Sequence, residues 1–112
     1  MLQLTPDDVL RDAVFVLEID GLAAGWHRIR ANGGRAELED LWLEPGWIGK
    51  GHGRYLFEHA AGVARSMNAG QLEWDAEPYA LAFYQAMGAV VIGEVPSAAE
   101  TGRMLPRMRL RL

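Results

Sequence analysis

The sequence predicts one domain, residues 1–112, of mixed α/β class, with a mostly antiparallel central sheet and helices packed on it. Three segments of β type joined by short turns come first, and consecutive strands of this kind form an antiparallel meander. A long segment with helical spacing follows. A strand, a helix and a further strand come after it, and such a unit requires at least one parallel pair. The predicted order is β-β-β-α-β-α-β-β.

The first three strands are rich in aliphatic and aromatic residues and lie between turn-forming residues. The predicted strands are residues 13–19, 22–29 and 37–43, and the turns are Asp20-Gly21, Asn32-Gly33-Gly34 and Glu44-Pro45-Gly46. Strict alternation along the third strand assigns Glu37, Glu39, Leu41 and Leu43 to one face, and Leu38, Asp40 and Trp42 to the other.

The pattern changes to helical spacing from Gly51 to Met67, where two rows of apolar residues recur three and four positions apart. Asn68-Ala69-Gly70 ends this helix. Pro78 begins a second helix, which Gly88 stops. Three further strands are predicted at residues 71–75, 89–95 and 108–112. In the last of these strands, apolar residues alternate with Arg107, Arg109 and Arg111, which indicates an edge strand with one face in water.

Composition excludes several classes of protein. Hydrophobic residues make up 50% and charged residues 23% of the chain, and the net charge is −4, which is typical of a globular domain and not of a dedicated binder of nucleic acid or anionic membranes. No cysteine is present, so a disulfide framework, a thiolate metal site and a cysteine nucleophile are excluded. The three histidines lack metal-ligand spacing, and no metal is expected. The amino terminus lacks a signal-peptide pattern, so we expect a cytoplasmic protein.

The glycine-rich turn between the third strand and the long helix is the most informative segment. It alternates the glycines Gly49, Gly51 and Gly53 with the side chains of Lys50, His52 and Arg54. Glycines leave backbone N–H groups open to a bound anion, and a helix start adds unpaired N–H donors and partial positive charge. The turn therefore predicts a phosphate cradle; the alternative is a tight structural turn with solvated charges.

Two common phosphate-binding motifs do not fit this turn. The Walker A motif G-x-x-x-x-G-K-[ST] does not occur in the chain. The dinucleotide motif G-x-G-x-x-[GA] fails as well, because Arg54 or Leu56 stands at its third glycine position.

Two motifs in sequence make the chain resemble the GNAT superfamily of N-acetyltransferases, which bind acetyl-CoA. The motif [QR]-x-x-G-x-[GA] is matched at Gly51 and Gly53, with Ile48 where Gln or Arg is usual. The later motif N-x-x-A-x-x-F-Y-x-x-x-G-[FA] begins at Glu77, which replaces Asn, and contains Tyr84. The resemblance covers about residues 14–112 and implies the GNAT-like acyl-CoA N-acyltransferase fold.

The resemblance implies transfer of an acetyl group from acetyl-CoA to an amine on a small molecule or peptide. The CoA pyrophosphate would lie on the N–H groups of residues 48–54, and the pantetheine arm would pair with residues 41–43 like an added strand. The implied cofactor-binding residues are Leu41, Trp42, Leu43, Ile48, Gly49, Lys50, Gly51, His52, Gly53, Arg54, Glu77 and Tyr84.

Two catalytic residues follow from the chemistry and the resemblance. Tyr84 matches the general acid for the departing thiolate, and simple packing beside Phe83 is the alternative. The acceptor amine must lose a proton, since a free alkylamine has a pKa near ~10. Glu39 is the candidate base, with Asp40 and then Glu37 as alternatives; for each of them the other interpretation is a solvated charge at the edge of the strand, without a catalytic role. The absence of cysteine favours direct attack in a ternary complex over a cysteine acyl-enzyme.

The departures from the family motifs leave a second function open, that of a non-catalytic or degenerate acyl-CoA-binding or assembly module. Members of the family usually carry a first strand and one or two helices ahead of the strand predicted at residues 13–19, where this chain has only 12 residues. We expect this chain to lack them. Their absence predicts exposed apolar sheet surface, which a second copy would cover in a homodimer.

Overall fold

The computed structural model describes residues 2–4 and 13–112, which form one seven-stranded sheet with two α-helices packed on it. The strands are β1 (Leu2–Leu4), β2 (Ala13–Ile19), β3 (Leu22–Asn32), β4 (Arg35–Leu43), β5 (Gln71–Asp75), β6 (Val90–Pro96) and β7 (Met104–Arg111). The helices are α1 (His52–Ser66) and α2 (Leu81–Ala86), preceded by the short 3-10 turns Pro45–Trp47 and Pro78–Ala80. None of these helices is long and apolar enough to cross a membrane.

The predicted fold class is confirmed, with one strand more than expected. The sheet order is β1-β2-β3-β4-β5-β7-β6, and β4 and β5 form its parallel pair. β1 pairs antiparallel with β2, so the expectation that the first strand is missing is wrong. Three residues carry too little pattern to indicate a strand, and β1 becomes visible only through its pairing with β2. The expected absence of helices ahead of β2 concerns residues 5–12, which lie outside the described part of the chain.

The β3–β4 hairpin is longer than the sequence pattern indicated. Asn32 pairs with Arg35, so the turn consists of Gly33 and Gly34 alone. The prediction ended β3 at Ile29 because asparagine and glycine are usually turn residues. Asn32 is still hydrogen-bonded within the sheet, so β3 ends three residues later and β4 begins two residues earlier than predicted.

A β-bulge in the same hairpin changes which side chains of β4 share a face. Ile29 pairs with Leu38 while Arg28 pairs with Asp40, so Glu39 is an extra residue on β4. The predicted alternation is therefore wrong from this point on. Leu38 packs in the core, as do Leu41 and Leu43 beyond the bulge. Glu39 and Asp40 both contact arginines on the opposite face.

The core lies between the two helices and one face of the sheet. α1 buries five side chains against it, namely Leu56, Phe57, Ala60, Ala61 and Ala64. Three of these are alanines, which let the helix backbone approach the strands closely. The sheet contributes fully buried side chains that include Ile29, Leu72 and Met108. Ion pairs between side chains of β3, β4, β5 and β7 lie on the other face of the sheet.

The carboxyl-terminal strand is an interior strand of the sheet. β7 runs antiparallel to β5 on one side and to β6 on the other, and β6 forms the edge. The expectation of an edge strand is therefore wrong. β7 also begins at Met104, four residues earlier than predicted, because Pro106 lies in the ladder opposite Glu94 and does not interrupt it.

Candidate active site

A cavity of about 950 Å³ opens where β4 and β5 separate. Its walls come from the second half of β4, the glycine-rich turn, the end of β5 and the segment that leads into α2. The predicted site residues that line it are Glu39, Leu41, Trp42, Leu43, Ile48, Gly49, Gly51, Gly53, Arg54, Glu77 and Tyr84. Lys50 and His52 do not line the cavity and instead contact the Trp47 ring.

The cavity exists because the parallel pair is short. Only three residues of β4 pair with β5, and the last of these pairs joins Glu37 to Glu73. Residues 38–43 of β4 continue without a strand partner on that side in the described part of the chain. A bulge bends the strand that carries it, and the bulge at Glu39 lies two residues beyond the last pair. An extended ligand can therefore reach the exposed backbone edge of β4.

The glycine-rich turn meets the cavity at the start of α1. Gly49 has φ 84° and Gly51 has φ 85°, a left-handed conformation that favours glycine. Gly51 is also the N-cap of α1, and no side chain caps the helix. The first N–H groups of an α-helix have no partner within the helix, so these donors are available to an anion.

Gly53 is a glycine for a different reason. A Cβ atom at Gly53 would lie 3.6 Å from the Phe83 ring, which is ordinary van der Waals contact, and its φ is not positive. Neither the backbone conformation nor the packing requires glycine here. A side chain would, however, project beside the exposed N–H groups of the first turn. This arrangement is what an anion site at the helix start needs.

Tyr84 lies on α2 and lines the cavity. Only 7% of its surface is exposed, and its ring packs against Phe57, Trp74 and Phe83. Burial raises the pKa of Tyr84 to about 12, with a smaller contribution from Tyr79. The hydroxyl is therefore a neutral hydrogen-bond donor at every physiological pH.

The three candidate bases are each placed beside arginines. Asp40 forms an ion pair with Arg28 at 2.8 Å, and Glu39 lies 3.7 Å from Arg30. Both carboxylates line the cavity. Glu37 does not, because Arg107 holds it in a separate cluster. The structure thus brings Glu39 and Asp40 to the site and leaves Glu37 outside it.

A group of charged side chains, here called the fork network, lies on the outer face of the sheet where β4 and β5 separate. It consists of Arg35, Glu37, Glu73, Asp75, Arg107 and Arg109. Arg107 alone contacts three carboxylates, those of Glu37, Glu73 and Asp75. Burial alone would raise the pKa of Glu73, but hydrogen bonds from Arg109 and Arg107 hold it below its usual value.

Glu77, which stands where the family motif has asparagine, is tied to the other end of the chain. Its carboxylate accepts a hydrogen bond from Arg103 at 2.5 Å. This ion pair joins the loop before α2 to the start of β7. Glu77 therefore lines the cavity with its charge already paired.

Two of the histidines form a pair, the buried His27 and the half-buried His59. His27 Nε2 lies 2.9 Å from His59 Nδ1, and the Phe15 ring packs against both. Burial, with a smaller contribution from the neighbouring His59, lowers the pKa of His27 to about 4. No group of three or more His, Asp or Glu side chains in residues 13–112 is arranged to hold a metal ion.

Several wall residues of the cavity were not in the predicted site. Trp74, Asp75, Tyr79 and Phe83 all line it. Trp74 follows directly after the last residue of β5 that pairs with β4. Its position in the cavity depends on where the strands separate, and no local pattern in the sequence marks that point.

Comparison with known proteins gives a consistent result. The acetyltransferase (GNAT) family matches residues 3–89. No curated protein sequence matches the chain. Among solved structures, a nourseothricin acetyltransferase is 28% identical with a TM-score of 0.82, covering 97% of this chain and 69% of that one. An IAA acetyltransferase from Bacillus cereus is 20% identical, with a TM-score of 0.80 and coverage of 95% and 81%.

A Bacillus subtilis acetyltransferase solved in complex with CoA is 16% identical, with a TM-score of 0.79 and coverage of 95% and 80%. The fold and the cavity between separating parallel strands thus define an acyltransferase-type α/β domain. The chain belongs to the GNAT acetyltransferase family.

Proposed function

We propose that this protein transfers an acetyl group from acetyl-CoA to an amine acceptor, by direct attack within a ternary complex. The observation that carries the proposal is the cavity between β4 and β5, whose lining includes both the glycine-rich turn at the start of α1 and Tyr84. Its walls offer unpaired N–H groups at the helix start and the unpaired edge of β4, which suit a ligand with an anionic head and an extended amide chain. Family membership and the CoA complex of a structural relative support the same ligand.

The anionic head of CoA is best placed at the glycine-rich turn. The open N–H groups around Gly51 and Gly53 and the helix dipole favour a pyrophosphate there. Arg54 lines the cavity and adds a cation, although it also pairs with Glu58 at 2.8 Å. Lys50 and His52 belong to the turn but do not line the cavity, and we assign them a long-range electrostatic role.

The pantetheine arm then runs along the unpaired edge of β4. Residues 41–43 offer backbone N–H and C=O groups to its two amides, in the manner of an added strand. Side chains of Leu41 and Leu43 face the core side, and Trp42 faces the opposite side. This path leads from the glycine-rich turn towards Tyr84.

The reaction itself needs three events. The neutral amine nitrogen adds to the thioester carbonyl carbon, the carbon–sulfur bond breaks, and the nitrogen gives up a proton. We assign the proton acceptor to Glu39, directly or through water, because its ion pair is the longer of the two in the cavity. Asp40 is the alternative. The chain has no cysteine, so the acetyl group passes to the amine without a cysteine-bound intermediate.

Tyr84 is assigned to the leaving sulfur as a hydrogen-bond donor. A CoA thiol has a pKa near ~8.5, and the pKa of Tyr84 is about 12. Complete proton transfer from the phenol to the thiolate is then uphill by about 5 kcal/mol. A hydrogen bond that strengthens as the sulfur gains charge has no such cost. The thiolate can take its proton from water after the acetyl group has left.

The decisive experiment measures binding and turnover separately. Acetyl-CoA at about 100 times its Kd should stabilise the protein by roughly 2.7 kcal/mol in a thermal-shift or denaturation assay. Turnover is followed with a thiol reagent across a panel of amines, and the absence of cysteine means that only released CoA reacts. Binding without thiol release from any amine would favour the non-catalytic acyl-CoA-binding module, and no binding would refute both functions.

A further inference from the structure

Two exposed tryptophans adjoin the cavity on the outer face of the sheet. Trp26 on β3 pairs in register with Trp42 on β4, and their ring centroids are 5.9 Å apart. The two residues are 38% and 43% exposed. Trp42 also lines the cavity, so this aromatic surface begins at the cavity wall and continues onto the sheet. Single exposed apolar side chains are ordinary, whereas adjoining ones that border a cavity indicate a contact surface.

The charge beside the aromatic surface is negative. Glu44 accepts a hydrogen bond from Trp42 Nε1 at 3.3 Å, and it forms no ion pair with any residue in the described part of the chain. Glu39 and Asp40, in contrast, each lie beside an arginine. Glu44 is therefore the carboxylate of this region whose charge is left for a ligand.

Two indole rings and an unpaired carboxylate suit a cation. The face of an aromatic ring attracts positive charge, and tryptophan does so most strongly. The chain contains one such contact within itself, since Lys50 Nζ lies 5.4 Å from the centroid of the Trp47 ring. A neutral ring would stack on the two indoles but would leave the Glu44 carboxylate without a cation.

The spacing along β4 gives the distance between this surface and the reacting groups. Asp40 and Trp42 are two residues apart on the same face of the strand, which corresponds to about 7 Å. In the proposed function the acceptor nitrogen loses its proton to Glu39 or Asp40. An acceptor that reaches both places therefore carries its second group about 7 Å from the reacting nitrogen.

We propose that Trp26, Trp42 and Glu44 bind a second cationic group of the acceptor, so that the protein acts on diamines in preference to monoamines. This inference rests on the proposed function and names the class of its acceptor. The far ammonium group of the diamine lies against the indole rings beside the Glu44 carboxylate, while the other nitrogen, unprotonated, attacks the thioester carbonyl carbon. The chemical step itself is unchanged, and the second cation binds and orients the acceptor.

The test compares 1,5-diaminopentane with pentylamine, which has the same carbon chain and lacks the second nitrogen. The two equivalent nitrogens of the diamine give it a statistical advantage of about twofold, and each cation–π contact at an exposed ring adds roughly two- to fivefold. We expect kcat/KM for the diamine to exceed that for pentylamine by at least about tenfold.

Two variants assign this preference to the proposed residues. Trp26→Leu removes one ring and keeps an apolar side chain, and Glu44→Gln removes the charge and keeps an acceptor for Trp42 Nε1. Each should lower the ratio of the two kcat/KM values by about three- to fivefold. Tyr55→Leu, which removes an exposed aromatic ring on α1, is the matched control and should keep the wild-type ratio.

A second measurement works on the wild-type protein and does not depend on turnover. With CoA bound, 1,5-diaminopentane should shift the indole ¹⁵N–H resonances of Trp26 and Trp42 at concentrations at which pentylamine does not. Each resonance is identified by its absence from the spectrum of the corresponding leucine variant. If Trp26→Leu fails to fold, the resonance lost in Trp42→Leu and the kinetics of Glu44→Gln still decide the question.

The outcomes separate this inference from the proposed function. A wild-type ratio of about twofold or less, a ratio that neither variant changes, or equal shifts with pentylamine would overturn the cation site and leave acetyl transfer intact. If acetyl-CoA binds but no amine is acetylated, the proposed function fails. Indole shifts caused by the diamine alone would then still support a cation site at the tryptophan pair.

Discussion

The two ends of the β4–β5 pair show opposite arrangements on the same two strands. At the closed end three residues of each strand pair in register, and the fork network joins them on the outer face. At the open end the strands part around a cavity of about 950 Å³. The comparison shows that different residues separate the two strands and hold them together. The bulge at Glu39 bends β4 away, and the ion pairs around Arg107 set where the separation begins.

The largest effect is expected at the closed end, from Arg107→Met. Glu37 and Glu73 lie opposite each other in register, and Arg107 contacts both. Without the guanidinium, Glu37 would keep Arg35 at 3.6 Å, and the buried Glu73 would keep Arg109 at 3.1 Å and Arg35 at 3.8 Å. The two carboxylates would then face each other with the strongest of their shared contacts removed. We expect the free energy of unfolding to fall by about 3 kcal/mol or more, measured by urea denaturation.

The control for this variant is Arg111→Met, on the same face of β7 but exposed. It should change stability by less than about 0.5 kcal/mol. Equal losses for the two variants would show that backbone pairing alone holds the closed end, and the contrast between the two ends would lose its electrostatic basis.

The next effect belongs to the open end and should leave stability alone. Gly53→Val puts a branched side chain beside the first N–H groups of α1, while its Cβ itself has room beside Phe83. We expect affinity for CoA to fall by about a hundredfold, or roughly 2.7 kcal/mol, by isothermal calorimetry. Gly62→Val is the matched control, since its Cβ meets nothing within 4 Å and the residue is in the same helix. Wild-type affinity in Gly53→Val would remove the anion site from this turn.

Much of the open end was predictable because its signals are local. The alternating glycines after a strand, and the helix that starts at His52, are neighbours in sequence and mark the turn by themselves. The helical spacing in α1 likewise indicated its buried face. Such features depend on conformations that a few consecutive residues determine.

The closed end was not predictable in the same way. Arg107 is 70 residues from Glu37 in the sequence. The prediction that Arg107 is a solvent-exposed side chain on an edge strand assumed that β7 had only one neighbouring strand. The bulge at Glu39 depends on the register between β3 and β4, and it moves each later side chain of β4 to the face opposite the one predicted by alternation. Trp74 reaches the cavity only because pairing stops at Glu73. All three facts are properties of strand pairing and not of local composition.

A smaller effect at the open end concerns the leaving group. Tyr84→Phe removes the hydroxyl and keeps the ring in its contacts with Phe57 and Trp74. In the proposed mechanism the phenol donates a hydrogen bond and does not transfer its proton, so we expect a loss of about tenfold in kcat, with little change in KM. Tyr55→Phe, exposed on α1, is the control. An unchanged kcat in Tyr84→Phe would remove this residue from the mechanism.

The smallest expected effect concerns the pH dependence of kcat/KM, which should show no fall near pH 10. Burial at the open end raises the pKa of Tyr84 to about 12, and the proposed mechanism uses the protonated phenol. The value of kcat/KM should rise as the amine acceptor loses its proton and then stay level to about pH 11. An ordinary phenol would cause a fall near pH ~10.

Circular dichroism must accompany the assay, because the unfolded chain releases the Tyr84 proton at a lower pH than the folded chain does. The stability contribution of this group is therefore complete below about pH 10 and is lost as the pH approaches 12. The contrary result is a fall in kcat/KM near pH 10 that occurs in folded protein and does not occur in the Tyr84→Phe variant. It would mean that the hydroxyl is exposed to water and that the open end reaches further into the core than the cavity between β4 and β5.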